Sequence, residues 1–167
     1  MAPAFIAKDA SETWSLLVQF WRGQNLDVGE DYLSDSEVPV PALPGEKVRM
    51  HTTIRVERGL PCPNGGGTCV EARMRSTPDP QDVARMAKRL VGDLGLPVAQ
   101  VEQAVGEMSA DMEAVLVAEP GRLVPHRLEK TRMMSVRPGP GAPEDAKPIE
   151  GKDVTVWIFT YAAAAPR

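Results

Sequence analysis

The chain has 167 residues, a net charge of −4 and 43% hydrophobic residues, a composition typical of one globular domain spanning 1–167. The negative charge argues against a nucleic-acid partner, and no apolar run approaches the roughly 20 residues that cross a bilayer. The first residues also lack the basic-then-apolar plan of a signal peptide. With 16 prolines and 14 glycines, the sequence predicts many turns and argues against an all-helical fold.

Residues 11–23 are predicted to form an amphipathic helix, with Ser11 as its N-cap and Gly23 as its stop. Its apolar side chains recur at helical spacing on one face, which comprises Trp14, Leu17, Val18 and Trp21. The simpler interpretation is that this face packs on a sheet. The alternative is that Trp14 or Trp21 stacks on a ligand.

Two alternating runs, 48–57 and 70–75, are predicted to pair as a β-hairpin. The chain's two cysteines, Cys62 and Cys69, stand at the ends of the glycine-rich tip between them. Strand pairing would bring their Cα atoms within the roughly 4.4–6.8 Å that a disulfide needs. A disulfide favours an extracytoplasmic location, whereas two free thiols would suit a reducing cytosol.

Metal binding by these cysteines with His51 or His126 is not predicted. The tip between Cys62 and Cys69 has six residues, whereas paired zinc ligands are usually separated by about two to four.

A helix is predicted to begin after Asp79, with Pro80 in its first turn, and to end at Gly95. A second helix is predicted to begin at Pro97, because apolar residues again recur at helical spacing, namely Val98, Val101, Val105, Met108 and Met112. A helix pair inserted between antiparallel strands is typical of the α+β class.

A second hairpin is predicted from strands 114–118 and 123–136, and Pro125 implies an edge position or a bulge in the latter. Residues 137–153 are predicted to form a mobile, turn-rich loop. Residues 154–161 are apolar on both faces, which predicts a central strand. The predicted fold is therefore α+β: a single curved antiparallel β-sheet of about six strands, packed against an N-terminal helix and an inserted helix pair.

The basic strand 123–136 carries the best local constellation. If it alternates regularly, His126, Lys130 and Arg132 share a face with apolar side chains that include Met134. Cations among apolar groups would receive the anionic head of an amphipathic ligand. Alternatively, a bulge at Pro125 resets the alternation and the charges face water.

Methionines are frequent on the predicted buried faces. Thioethers suit an adaptable apolar pocket, and they are also common core fillers. The residues concerned are Met50, Met74, Met86, Met108, Met112 and Met134.

Catalytic motifs are absent from the sequence: it has no nucleophile elbow, phosphate-binding glycine loop, zinc-protease helix or dinucleotide fingerprint. No cofactor is predicted. An enzyme using His126 with Glu119 or Glu129 is a third hypothesis. His51 falls on the water-facing side of its strand, which argues against a role as catalytic base.

The order of predicted elements is helix, hairpin, helix pair, hairpin, proline-rich loop and closing strand. Asp27-Val-Gly-Glu-Asp-Tyr precedes a proline-rich passage, and Glu119-Pro-Gly-Arg-Leu-Val-Pro precedes a long strand. This plan resembles bacterial cell-envelope half-barrel proteins of the lipoprotein-carrier type. The resemblance implies a curved sheet covered by helices, with an apolar ligand between the layers, and carries over no site residue.

The leading functional hypothesis is non-enzymatic binding of a small hydrophobic or amphipathic ligand between sheet and helices. The candidate ligand-binding residues are His126, Lys130, Arg132, Met134, Met74, Met86, Met108 and Trp14. The alternative is a protein–protein interaction or assembly subunit, including a homo-oligomer, that uses the edge of strand 123–136 or the loop 137–153.

Overall fold

The computed structural model describes residues 26–40, 43–63, 67–95, 97, 99, 103–120 and 124–161. Its elements are β1 (Asp31–Pro39), β2 (Lys47–Pro61), β3 (Thr68–Pro78), α1 (Pro80–Asp93), β4 (Val105–Glu119), β5 (Val124–Pro138) and β6 (Ile149–Ile158).

The six strands form one sheet and pair strictly in chain order, from β1 at one edge to β6 at the other. Every neighbouring pair is antiparallel, which confirms the predicted antiparallel sheet. The helix α1 is inserted between β3 and β4 and packs against β2 and β4. Chain-order pairing keeps the connections short, and α1 lies within the longest of them, between Pro78 and Val105.

The predicted helical layers are wrong. Among these elements α1 is the one helix, and residues from Val105 onward, predicted to continue the second helix of the pair, belong instead to β4. Main-chain pairing with β5, such as Met108 with Val136, outweighs the helical spacing of the apolar side chains. The predicted N-terminal helix, with Trp14, lies outside the described residues.

The beginning of α1 confirms the sequence prediction. The Asp79 carboxylate accepts hydrogen bonds from the amides of Gln81 (2.9 Å) and Asp82 (3.2 Å). It thereby satisfies two amides that have no partner within the helix. After the last turn, Gly95 adopts a positive φ of 69°, the conformation that commonly ends a helix.

The core lies on one face of the sheet, called here the core face. Register places Ile54 opposite Met74, and Met74 opposite Ala114, so that apolar side chains form rows across the strands. The buried cluster consists of Ile54, Val56, Ala72, Met74, Ala114, Leu116, Ala118 and Leu128. Small alanines alternate with larger side chains along these rows, and this alternation lets neighbouring side chains interlock.

The opposite face, called here the charged face, carries a ladder of ion pairs across β1 to β4. Arg55 contacts Asp31 at 3.1 Å, and Arg73 lies between Glu57, at 3.4 Å, and Glu113. These side chains are partly exposed, so each pair contributes only about 0–1 kcal/mol to the free energy of unfolding. The ladder fixes cross-strand neighbours on a face that meets water.

Two further predictions about the second half of the sheet need correction. β6 was predicted to be central, but in the described structure it is an edge strand that pairs with β5 alone. Consequently Val154, Val156 and Ile158 are 45–75% exposed. The connection before β6 covers only 139–148, because β5 continues to Pro138 and β6 begins at Ile149.

The predicted bulge near Pro125 is confirmed, although β5 is an interior strand. Register moves from the pair Val117–Arg127 to the pair Ala118–Pro125. His126 is therefore the extra residue on β5, and its side chain leaves the regular alternation.

Replacing Leu116, which is 1% exposed, tests whether the core face carries the stability. We expect Leu116→Ala to lower the free energy of unfolding by about 2–5 kcal/mol, because it removes buried methyl groups and leaves a cavity. The matched Leu33→Ala, at a site 82% exposed, should change it by less than about 0.5 kcal/mol. Urea unfolding followed by circular dichroism measures both, and equal losses would contradict the assignment of the core.

Candidate functional site

The residues of the predicted basic-strand site are not brought together. The bulge in β5 separates His126 from Lys130 and Arg132, which stay on the core face. His126 instead lies beside the two cysteines, with its ring nitrogen within 4.8 Å of their sulfur atoms. The strand therefore offers no single row of cations for an anionic head group.

Lys130 is buried within the core face, where it is 7% exposed. Its ammonium lies 5.6 Å from the centre of the Trp157 ring on β6, a cation–π contact. Arg132 and Met134, further along β5, are exposed, and Met134 at 56% exposure was wrongly predicted to be buried. Lys130 is thus positioned to pack against Trp157, whose ring stabilises the ammonium charge, away from the exposed end of β5.

The other predicted ligand-binding methionines are dispersed. Met74 fills the core cluster between β2 and β4. Met86 is half-buried on α1, and Met108 is half-buried near the start of β4. Met108 lines the groove described next, Met134 lines a hollow over β4 to β6, and Trp14 lies outside the described residues.

An apolar groove of about 420 Å³ runs between α1 and the start of β4. It exists because the apolar stripe of α1 is only partly covered: Val83 alone is buried, while Leu90 is 43% exposed. The apolar lining comprises Pro80, Val83, Ala84, Ala87, Leu90, Val91, Val105 and Met108. Lys88 and Glu107 are the charged residues of the lining, so an apolar occupant with a polar end would match it.

A second hollow, of about 580 Å³, lies over β4 to β6. Most of its lining is charged or polar: Glu107, Ser109, Asp111, Ser135, Arg137, Glu150 and Lys152. Such a lining suits water and ions better than an apolar ligand. The groove at α1 is therefore the better candidate for a binding site.

The disulfide between Cys62 and Cys69 confirms the sequence prediction, with Cα atoms 4.9 Å apart. Both cysteines pack with Val117 and Leu60 in a small buried cluster. A register shift after Val56 turns Leu60 onto the charged face, opposite the main core, where it pairs with Cys69. The sequence alone could suggest the disulfide. It could not show that His126 lies beside the two cysteines, because β5 is placed there by the pairing of β3 with β4 and of β4 with β5.

Cys62, Cys69 and His126 form the one group in the described part of the chain whose ligand atoms lie close enough to share a metal ion. All three side chains are buried. Thiolate sulfur and imidazole nitrogen are the donors that zinc prefers. In the oxidised state the two sulfurs are bonded to each other and offer no thiolate.

His51 lies between two carboxylates on the charged side of β2. Its Nδ1 is 2.9 Å from Asp35, and its Nε2 is 3.6 Å from Asp79, the N-cap of α1. The hydrogen bond with Asp35 raises the pKa of His51 above its usual 6.5. The Asp82 amide lowers the pKa of Asp79, aided by His51 and by Arg49 at 4.0 Å. These groups link β1, β2 and α1.

The fold and these sites define an antiparallel six-strand meander with one inserted helix, a partly open apolar groove and a buried disulfide–histidine cluster. Comparison with protein-family models, curated proteins and solved structures finds no match. Among the described residues, no helix has the length and apolar character needed to cross a bilayer.

The His51 cluster predicts a pH-dependent contribution to stability. A raised pKa means that charged His51 stabilises the folded state fully below about pH 6.5, and that this effect disappears as the pH rises through the folded-state value. Asp79, with a lowered pKa, contributes above about pH 3.8 and loses its effect as the pH falls through its folded-state value. Charged His51 and ionised Asp79 therefore both stabilise the folded state fully between about pH 4 and 6.5.

We expect His51→Gln to lower the melting temperature more at about pH 5.5 than at about pH 8.5, since only the lower pH charges the histidine. Thermal unfolding of both proteins at the two pH values measures the difference. An equal drop in melting temperature at the two pH values would show that the charge on His51 does not contribute to the stability of the fold.

Proposed function

We propose that this chain binds a small hydrophobic or amphipathic ligand in the groove between α1 and β4. The observation that carries the proposal is the groove itself: about 420 Å³ lined mainly by apolar side chains of two adjacent elements. Small-molecule sites are usually clefts of roughly 300–1,000 Å³ with apolar walls and a few polar groups.

The position differs from the site first expected. The predicted ligand lay between the sheet and several helices, with His126, Lys130 and Arg132 around its head group. The groove retains Met108 from the predicted set and replaces the basic strand with Lys88 of α1. Burying apolar surface of the ligand would supply about 25 cal/mol for each Å² removed from water.

Dodecanoate binding tests the groove. We expect Ala87→Phe to weaken the affinity at least tenfold, because an aromatic ring at the half-buried Ala87 occupies the space that the chain of the ligand needs. The matched control is Ala146→Phe, at an exposed alanine in the connection before β6, which should bind as the unmodified protein does. Isothermal titration calorimetry measures both.

Lys88→Gln separates the head group from the chain of the ligand. This substitution should weaken the affinity for dodecanoate and leave the affinity for dodecanol unchanged, since only the carboxylate interacts with the ammonium group. Equal affinities of Ala87→Phe and the unmodified protein for dodecanoate would exclude the groove as the site.

A second candidate function, assembly through β6, is favoured by one specific observation. β6 ends the sheet, so its outer main-chain groups have no neighbouring strand in the described structure. The strand also exposes large apolar side chains, namely Ile149, Val154, Val156 and Ile158. An apolar edge strand is a ready template for pairing with another chain.

If copies associate through β6, Val156→Lys should turn a concentration-dependent dimer into a monomer, because it places a charge on the apolar edge. The control is Leu33→Lys, which puts the same charge on the exposed edge strand β1 and should leave the dimer intact. Sedimentation velocity over a range of concentrations reads the result. An unmodified protein that stays monomeric at the highest concentration would rule out self-association.

A further inference from the structure

We propose that the reduced form of this chain binds a zinc ion through Cys62, Cys69 and His126, and that formation of the disulfide expels it. The site lies on the charged face of the sheet, at the end formed by the β2–β3 hairpin. It is separate from the groove at α1, and the proposal does not depend on a ligand there.

The first argument is the meeting of three zinc-type donors in one buried place. The two sulfur atoms and a ring nitrogen of His126 all lie within 4.8 Å of one another. Cys62, Cys69 and His126 are 5%, 0% and 8% exposed. A tetrahedral zinc ion with three protein ligands keeps its fourth position for water or another small ligand.

The second argument is that the backbone holds the cysteines together without the S–S bond. Cys69 lies in β3 opposite Leu60, and the next pair along the hairpin is Pro61 with Thr68. Beyond the strands, the Cys62 amide donates a hydrogen bond to the Gly67 carbonyl at 3.1 Å. Reduction therefore leaves two thiols at the end of a paired hairpin, from which they can converge on one ion.

The third argument is that His126 is oriented from outside the cluster. Its carbonyl accepts a hydrogen bond from the Phe159 amide at 3.0 Å, which anchors the bulge to the segment after β6. The Tyr161 ring packs edge-on against the imidazole, with centroids 6.0 Å apart and planes at 79°. The Tyr161 hydroxyl donates to the Pro125 carbonyl at 2.5 Å. Fixing a ligand by neighbouring groups lowers the ordering cost of metal binding.

The environment of the cluster fits a metal ion that is shielded from bulk water. Val117 and Leu60 pack against the cysteines and limit access. The Glu119 carboxylate approaches the same hairpin, with Oε1 at 3.8 Å from the place a Cβ on Gly67 would take, so it brings a negative charge to the end of the sheet that carries the cysteines.

The switch is a balanced thiol–disulfide exchange followed by metal binding. A dithiol reductant attacks one sulfur of the disulfide as a thiolate, forms a mixed disulfide, and resolves it with its second thiol. The reductant leaves as a disulfide, and the chain gains two electrons and two protons as two thiols. Zinc then replaces both thiol protons, which pass to water. A disulfide oxidant reverses the exchange, the S–S bond re-forms, and the zinc ion leaves.

Cobalt(II) absorption of the full chain tests the site, because thiolate coordination gives a charge-transfer band that free cobalt lacks. We expect the chain reduced by a phosphine under argon to show this band at one cobalt per chain, with displacement by zinc. The oxidised chain and Cys69→Ser should show no band. His126→Ala should bind at least tenfold more weakly, while His51→Ala, which removes the other histidine, should bind as the unmodified chain does.

A rescue variant separates ligation from folding. His126→Cys restores a zinc-type donor and should recover the cobalt band, which would not follow if His126 only filled space. Circular dichroism of each variant in its reduced form checks that the strands are retained under the conditions of the cobalt titration. The proposal is overturned if reduced unmodified chain shows no thiolate–cobalt band, or if His126→Ala and His51→Ala bind cobalt with equal affinity.

Discussion

The common register of β2, β3, β4 and β5 is the constraint on which the rest of the structure depends. Because side chains alternate along a strand, one register decides for all four strands which residues are buried together. It aligns Val56, Ala72, Leu116 and Leu128 in one row of the core face. On the other face it places an arginine opposite an acid, where Arg75 and Glu113 pair. A slip by one residue would bury charge and expose the core.

Two interruptions of that register create the chemistry at one end of the sheet. The bulge after Val56 moves Leu60 onto the charged face, where it covers Cys69. The bulge at His126 turns the imidazole of this residue away from the core face, on which Lys130 lies. Both interruptions occur toward the β2–β3 hairpin end, and bulges are commonly found where a side chain is redirected toward a site. The small cluster of cysteines and histidine is the joint product of the two.

Local features of the fold were predictable from the sequence. The alternation in β2 and β3, the cap at Asp79 and the disulfide depend on residues close together in the chain, and all are present. The helix predicted after Pro97 was wrong from Val105 onward, because apolar side chains at helical spacing do not exclude a strand. Pairing with β5, whose residues lie about thirty positions or fewer further along the chain, favoured a strand over a helix. β6 was misassigned because an apolar strand can signal either burial or an exposed edge.

The candidate sites were less predictable for the same reason. The groove depends on how α1 lies against β4, and the cysteine–histidine cluster depends on three strand pairings and a bulge. Neither leaves a sequence motif. Pro125 was the one sequence signal for the cysteine–histidine cluster. It indicated a bulge beside His126, but it did not indicate toward which residues that side chain would point.

The two edges of the sheet differ in a way that bears on the size of any assembly. Along β1 the edge carries Asp31, Asp35, Glu37 and Pro39, which oppose strand addition, whereas the second half of β6 exposes Val154, Val156 and Ile158. Growth at β6 alone joins two identical edges about a twofold axis, and that contact uses the same surface on both molecules. If two chains paired in this way, their charged β1 edges would face outward at both ends of the joined sheets. Such a pair is closed, so the acidic edge strand would be what prevents continued growth into a fibre.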